Sequence, residues 1–377
     1  MLAAAGFVAA LVIAPTASSS RYIKKGIFDD AEILYGNPDK VFPMLQSAHS
    51  QVIRVDLWWG ESNGVARRRP ARPADPADPA YNWATYDRTA ILAKRYGQIP
   101  IFTVIGTPAW ANSARGWNAA PNAITDLQGF VIAAARRYSG TFRLSDGTIL
   151  PRVANWTAWN EPNNPVFLKP QFVRAGSKWV LQSAKDYARI CNAVVAGVKT
   201  VNQTSRVACG MTAPRGNNQP GTARSSSSPI AFLRGMKLAG AKGFDAYGHH
   251  PYYGSPSETP NTKPPPGKRG QPPTAVTLGN FDVLVRELTQ LYGNVRIWVT
   301  EYGYQTNPPD AAFGVSEVKQ AVYMRQAWEK LKAHPRVDMF IWFLLRDEQR
   351  IDRGWQSGIY TARGVRKIAR ETFERLR

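Results

Sequence analysis

Apolar positions along this chain follow two rhythms in alternation. Short runs rich in Val, Ile, Trp and Thr fall near 24–29, 51–58, 99–105, 153–160, 206–212, 244–250, 295–301 and 337–344, and they read as strands. Between and after them, apolar residues recur at helical spacing near 38–48, 83–96, 125–138, 183–201, 229–239, 278–291, 316–332 and 363–376. In 316–332, for example, Val318, Ala321, Val322, Met324 and Trp328 share one helix face. Strict strand–helix alternation predicts parallel strands joined by helices. A count of eight pairs selects a closed (β/α)8 TIM barrel over an open sheet. No Gly-rich phosphate loop follows the first strand, which disfavours a dinucleotide fold. The pattern shows no repeat and no linker, so 21–377 is expected to be a single domain.

Three long segments interrupt the alternation, at 60–80, 213–228 and 254–276, all rich in Pro, Gly, Ser or Arg. Each follows a strand, so a barrel would place all three on its catalytic face, as cleft walls or as loose surface insertions. Residues 2–14 are almost wholly apolar and lead into Pro15-Thr-Ala-Ser-Ser-Ser20. That reads as a secretory leader over 1–20, too short to span a bilayer comfortably, although no Lys or Arg precedes it. The remainder has no long uncharged apolar run, so no stable membrane insertion is expected after the leader. The chain should be secreted or associated with the cell envelope.

A net charge of +21 bears on partners and not on fold. Its Arg and Lys are spread along the chain, apart from a knot at Arg67-Arg68-Arg69, whereas nucleic-acid binders usually cluster them. The expected partner is therefore an anionic envelope or an acidic glycan, and no nucleic acid. Arg215, Arg224, Lys263, Lys268 and Arg269 also lie in the long loops, so the charge is expected around the cleft mouth or along one flank. Cys191 and Cys209 allow either one disulfide or two buried thiols. The sequence has no ligand-spaced Cys/His cluster, and neither metal nor cofactor is expected.

Candidate chemistry sits at strand ends. Trp156-Thr-Ala-Trp-Asn-Glu-Pro-Asn163 delivers Glu161, and Trp298-Val-Thr-Glu-Tyr-Gly303 delivers Glu301. Two carboxyl groups facing one bond suit glycoside hydrolysis, one as proton donor and the other as nucleophile or as base. Alternation by two puts Val52, Arg54 and Asp56 on one face, and Ala246, Gly248, His250 and Tyr252 on another. The same rule groups Ile297, Val299 and Glu301, and aligns Phe340 with Trp342. A buried Arg or His needs a partner, so these residues are expected to converge on charge. Trp58, Trp59, Trp110 and Trp342 fall at strand ends, where an indole face could stack on a sugar.

Arg54, Asn160-Glu161, His250-Pro-Tyr252, Glu301 and Trp342, taken in strand order, resemble the retaining glycosidases of clan A. Family 39 is the nearest comparison, with family 5 next. The resemblance covers about 22–377, and Trp-Asn-Glu-Pro-Asn is its strongest motif. It implies Glu161 as acid/base, Glu301 as nucleophile and Asn160 as holder of a sugar hydroxyl. It also implies that Tyr252 bonds the nucleophile, Arg54 supports it and Trp342 floors the sugar. The expected function is a secreted retaining glycoside hydrolase acting on an oligo- or polysaccharide. A transglycosidase and a non-catalytic carbohydrate-binding barrel at an anionic surface are the alternatives.

Overall fold

The computed structural model describes residues 23–267, 273–352 and 354–377. The expected leader, with Lys268 and Arg269, lies outside the described residues. Eight parallel strands close into a barrel: β1 (Lys24–Phe28), β2 (Val52–Trp58), β3 (Ile99–Ile105), β4 (Asn155–Ala158), β7 (Arg206–Thr212), β8 (Ala246–His249), β9 (Arg296–Tyr302) and β10 (Val337–Phe343). β1 pairs with both β2 and β10, so the barrel leaves no open edge. The remaining two strands, β5 (Phe172–Ala175) and β6 (Lys178–Leu181), form an antiparallel hairpin outside the barrel. No alternating apolar face marks that hairpin in the sequence, because it has little core to cover.

The outer helices are α2 (Pro38–Ser47), α3 (Ala84–Arg95), α5 (Ile124–Arg137), α6 (Gln182–Val201), α7 (Pro229–Leu238), α8 (Phe281–Tyr292), α9 (Glu317–Lys332) and α10 (Ile368–Arg375). Two single-turn helices, α1 (Asp30–Ile33) and α4 (Ala109–Asn112), sit in loops on the cleft side. Helix starts follow capping chemistry. Ser228 accepts from the Ala231 N–H and Ser316 from the Lys319 N–H, while Asn37 accepts from the Asp39 N–H ahead of Pro38. The last helix begins later than its apolar spacing predicts. Residues 361–365 form a tight turn instead, with Gly364 at φ 81°.

Two cores result. Inside the barrel, Val52, Ile101, Ala208, Ala246, Trp298, Met339 and Ile341 stack beneath the site. A larger core, including Ile297, Val299, Phe340 and Trp342, packs the strands' outer faces against the helices. This corrects two expectations about facing. Strict alternation on β9 turns Ile297 and Val299 outward, and would take Glu301 with them. Between the pairs Phe340–Val299 and Trp342–Tyr302, however, β9 holds one more residue than β10. That bulge reverses the phase, so Thr300 and Glu301 both point inward.

Cys191 of α6 and Cys209 of β7 are joined in a disulfide that closes an 18-residue separation. A loop of this length is worth about 3 kcal/mol in chain entropy. Replacing both cysteines by Ala is expected to lower the unfolding free energy by about 2–4 kcal/mol in chemical denaturation.

Candidate active site

The barrel's C-terminal rim opens into a cleft of about 550 Å³. Glu161 reaches it through a backbone reversal just past β4. Trp159 and Glu161 have φ of 66° and 36°, in the left-handed region that costs a bulky residue on the order of 1 kcal/mol or more. The reversal packs the Trp159 ring outward, with its indole N–H donating to the Phe167 carbonyl at 2.7 Å. Asn160 and Glu161 are thereby turned into the cleft. The Glu161 N–H donates to the Met211 carbonyl at 2.8 Å, which ties the turn to the end of β7.

Arg54 is the hub beneath. It is fully buried, lies over the Phe28 ring at 4.2 Å, and has every donor engaged. Nε donates to Thr103 Oγ1 at 2.9 Å. Nη1 serves Glu301 Oε1 at 2.7 Å and the Thr300 carbonyl at 3.1 Å; Nη2 serves Asn160 Oδ1 at 2.8 Å and Asp56 Oδ1 at 3.4 Å. Tyr252 donates its hydroxyl to Glu301 Oε2 at 3.2 Å. Both Glu301 oxygens therefore receive donors, one of them cationic, which makes these charge-assisted hydrogen bonds. Because Asn160 Oδ1 is taken by Arg54, its amide N–H groups are what remain for a ligand.

Glu161 has a different environment. Burial pushes its carboxyl up to about 7, against smaller opposing effects from the Asn164 amide and Arg54. Asn164 Nδ2 donates to Glu161 Oε2 at 3.2 Å, and His250 Nδ1 lies 3.0 Å from Oε1. Burial also holds the His250 ring neutral, lowering it to about 4, so it has one N–H to share between Glu161 and Thr300. Oxygens of Glu161 and Glu301 lie within 4.8 Å of one another, with His250 Nδ1 inside the same span. Two carboxyls thus stand close together in different surroundings, Glu161 raised by burial and Glu301 bonded by Arg54 and Tyr252.

The cleft is lined besides by Phe28, Asp56, Asn164, Phe167, Arg215, Phe343 and Trp355, and the Arg215 guanidinium is held by the Tyr253 carbonyl at 2.9 Å and by Glu258. Asp56 is raised to about 6, chiefly by burial. Asn163 is absent from the cleft. It is fully buried and clamps the loop after β7 through the Ala213 N–H and the carbonyls of Ala213 and Ser227.

Trp342 needs correction. It faces the outer core, fully buried, and its indole N–H donates to the Ser357 carbonyl at 2.8 Å. Its neighbour Phe343 lines the cleft instead, one position on along the strand. Trp58 and Trp110 also lie outside the cleft that holds the glutamates. Trp58 packs edge-on to Trp117, and Trp110 packs edge-on to the buried Trp59 while donating to the Ala66 carbonyl at 2.8 Å. These rings tie the loop at 60–80 to the loop after β3.

The indole that does reach the cleft is Trp355, 38% exposed and 5.5 Å from both the Tyr252 and Phe343 rings. Sequence reading missed it because it follows the last strand, in a segment without periodicity. A Trp among Arg, Gly and Gln was the available signal. Its loop is held by Lys367, whose ammonium bonds Asp347, Thr306 Oγ1 and the Gln356 carbonyl. Asp347 is thus buried and ion-paired, neither solvated nor at the cleft. Glu348 accepts from the Trp355 N–H at 2.7 Å. Of the basic loop residues among those described, only Arg215 lines this cleft; Arg69 pairs with Asp126 and lies over Trp110.

A family model described as "Family of unknown function (DUF5722)" matches residues 112–377. No curated protein matches the chain. Among solved structures, the chain is similar to a family 39 glycoside hydrolase from Bacteroides cellulosilyticus WH2, at 19% identity and TM-score 0.63, covering 94% of this chain and 63% of that one. It is similar to a glucosidase from Croceicoccus marinus at 15% identity and TM-score 0.64, covering 94% and 69%. Fungal β-1,4-galactanases match at 14% identity and TM-score 0.56, covering 94% and 99%. At these identities the likeness is one of fold, and the family 39 resemblance read from the sequence holds at that level. The chain spans 63% of the length of the Bacteroides enzyme.

Proposed function

We propose that the chain, which belongs to the DUF5722 family of unknown function, is an O-glycoside hydrolase working with retention of configuration. The observation that carries this reading is the pair Glu161 and Glu301. Their oxygens lie within 4.8 Å, with Glu161 raised by burial and Glu301 bonded to the Arg54 guanidinium. Retaining enzymes place their carboxyls about 5–5.5 Å apart, whereas inverting ones need about 6.5–9.5 Å to admit a water.

In the first step the Glu161 O–H gives its proton to the glycosidic oxygen as the bond to the sugar carbon breaks. A Glu301 oxygen attacks that carbon from the opposite side. In the second step the Glu161 carboxylate takes a proton from water, whose oxygen attacks the same carbon and releases Glu301. Asn160 would hold the adjacent hydroxyl, and Phe343 with Trp355 would stack against the bound sugar.

Export fits the disulfide, since such bonds persist in oxidising compartments. A secreted or envelope-bound enzyme acting on an oligo- or polysaccharide is the reading we adopt. Incubating the protein with purified bacterial and plant glycans, with products read by mass, tests it. Release of saccharides by the wild type but not by Glu301→Gln supports the assignment; release by both contradicts it.

A pH dependence follows from Glu161. Its acid form is required for the first step and is lost as pH rises through about 7. The kcat/KM profile is therefore expected to fall on the alkaline side from near that value. For an activated aryl glycoside and Glu161→Gln, that limb should vanish.

A further inference from the structure

The charge of +21 is scarcely used by the cleft, and the barrel topology shows where part of it goes. All eight strands begin on the face opposite the site, and basic residues gather there. Lys94 and Arg95 close α3, Arg152 precedes β4, Lys242 precedes β8, and Lys24 opens β1. The first four are exposed and Lys24 is half-exposed. Cations in the last turn of α3 offset its helix dipole. Lys24 and Lys242 belong to no helix, and Arg152 donates to Thr204 Oγ1 at 2.6 Å just past α6. Two acidic residues near this face are matched, Asp245 by Lys199 and Asp338 by Arg206 and Arg296, while Asp146, exposed in the loop before β4, accepts from the Thr148 N–H. Among the described residues, none of the five cations named belongs to an ion pair.

We infer that this face is a docking surface for an anionic polysaccharide, which leaves the cleft pointing away from the attachment. The surface is concave. Between β3 and β4 lies a cavity of about 660 Å³ lined by Lys94, Arg152, Ile149, Pro100 and Pro151. Two cations flank an apolar floor, with Ile149 47% exposed. That combination suits a uronate residue, whose carboxylate meets the cations while its ring face covers the floor. A planar lipid surface has nothing to enter such a cavity. The inference is independent of the catalytic reading, because it uses none of the cleft residues.

The test uses Glu301→Gln protein, so that turnover plays no part, on immobilised polygalacturonate with dextran as the neutral control. Binding to polygalacturonate alone is expected, weakening as salt rises past the range where exposed charges are screened. The triple variant Lys94→Gln/Arg152→Gln/Lys242→Gln is expected to bind about tenfold or more weakly. Arg67→Gln/Arg224→Gln, on the cleft side, should bind as before. With Glu301 intact, the triple variant should turn over a small aryl glycoside at the wild-type rate and unfold at the same temperature. Failure of the parent protein to bind polygalacturonate, or equal binding by the triple variant, would overturn the inference. So would a triple variant that loses anionic vesicles or duplex DNA while keeping polygalacturonate.

Discussion

Glu301→Gln is expected to reduce turnover by about 10⁴-fold or more while leaving the fold intact. The amide keeps the size of the side chain and can still accept one hydrogen bond from Arg54 or Tyr252. What disappears is the anion that attacks the sugar carbon, and without it no glycosyl-enzyme forms. Removing an interaction made only on the way to the transition state lowers kcat and kcat/KM together. Arg54 would then be left buried with less compensating charge, so a modest loss of thermal stability is expected alongside. Unfolding curves and turnover on the same preparations separate the two effects.

Glu161→Ala is expected to behave differently, with an effect set by the leaving group. An aryl oxygen of low basicity departs almost without a proton, so the first step should be nearly normal on such a substrate. A sugar leaving group needs that proton, and its rate is expected to fall by about 10²–10⁴-fold. The second step, which needs Glu161 as a base, then limits turnover of activated substrates. Azide, small and already anionic, should enter the space vacated by the carboxyl and relieve that limit. The azide product should keep the substrate's configuration. Rescue of Glu301→Ala should give the inverted product, because azide then takes the opposite face. Proton NMR of the two glycosyl azides reads the difference directly.

Much of this architecture was legible in the chain because burial imposes a rhythm. Strands such as 99–105 and helices such as α6 must hide apolar faces, and their spacing shows it. The inward facing of Arg54 and His250 followed from alternation alone. Glu301 marks where that rule stops, because a single extra residue in β9 shifts the phase and a bulge has no signature in apolar spacing. On β10 alternation holds, but its phase turns Met339, Ile341 and Phe343 inward, so Phe343 stands where Trp342 was expected. Trp355 and Asn164 escaped for another reason. They sit in loops held by hydrogen bonds and one buried ion pair, contacts that leave no apolar rhythm in the sequence. The placing of charge was less legible, since a linear count cannot show which end of a strand a lysine occupies.

The central claim is a covalent intermediate on Glu301 formed with help from Glu161. It is tested most directly by mass spectrometry of peptides from enzyme incubated with a 2-deoxy-2-fluoro aryl glycoside of the sugar it hydrolyses. Fluorine slows release of the trapped sugar more than its attachment. The expected result is one added fluoroglycosyl group on the peptide that contains Glu301, absent from Glu301→Gln and dependent on time. An adduct on another residue, or none while the parent glycoside is hydrolysed with inversion, would contradict the account.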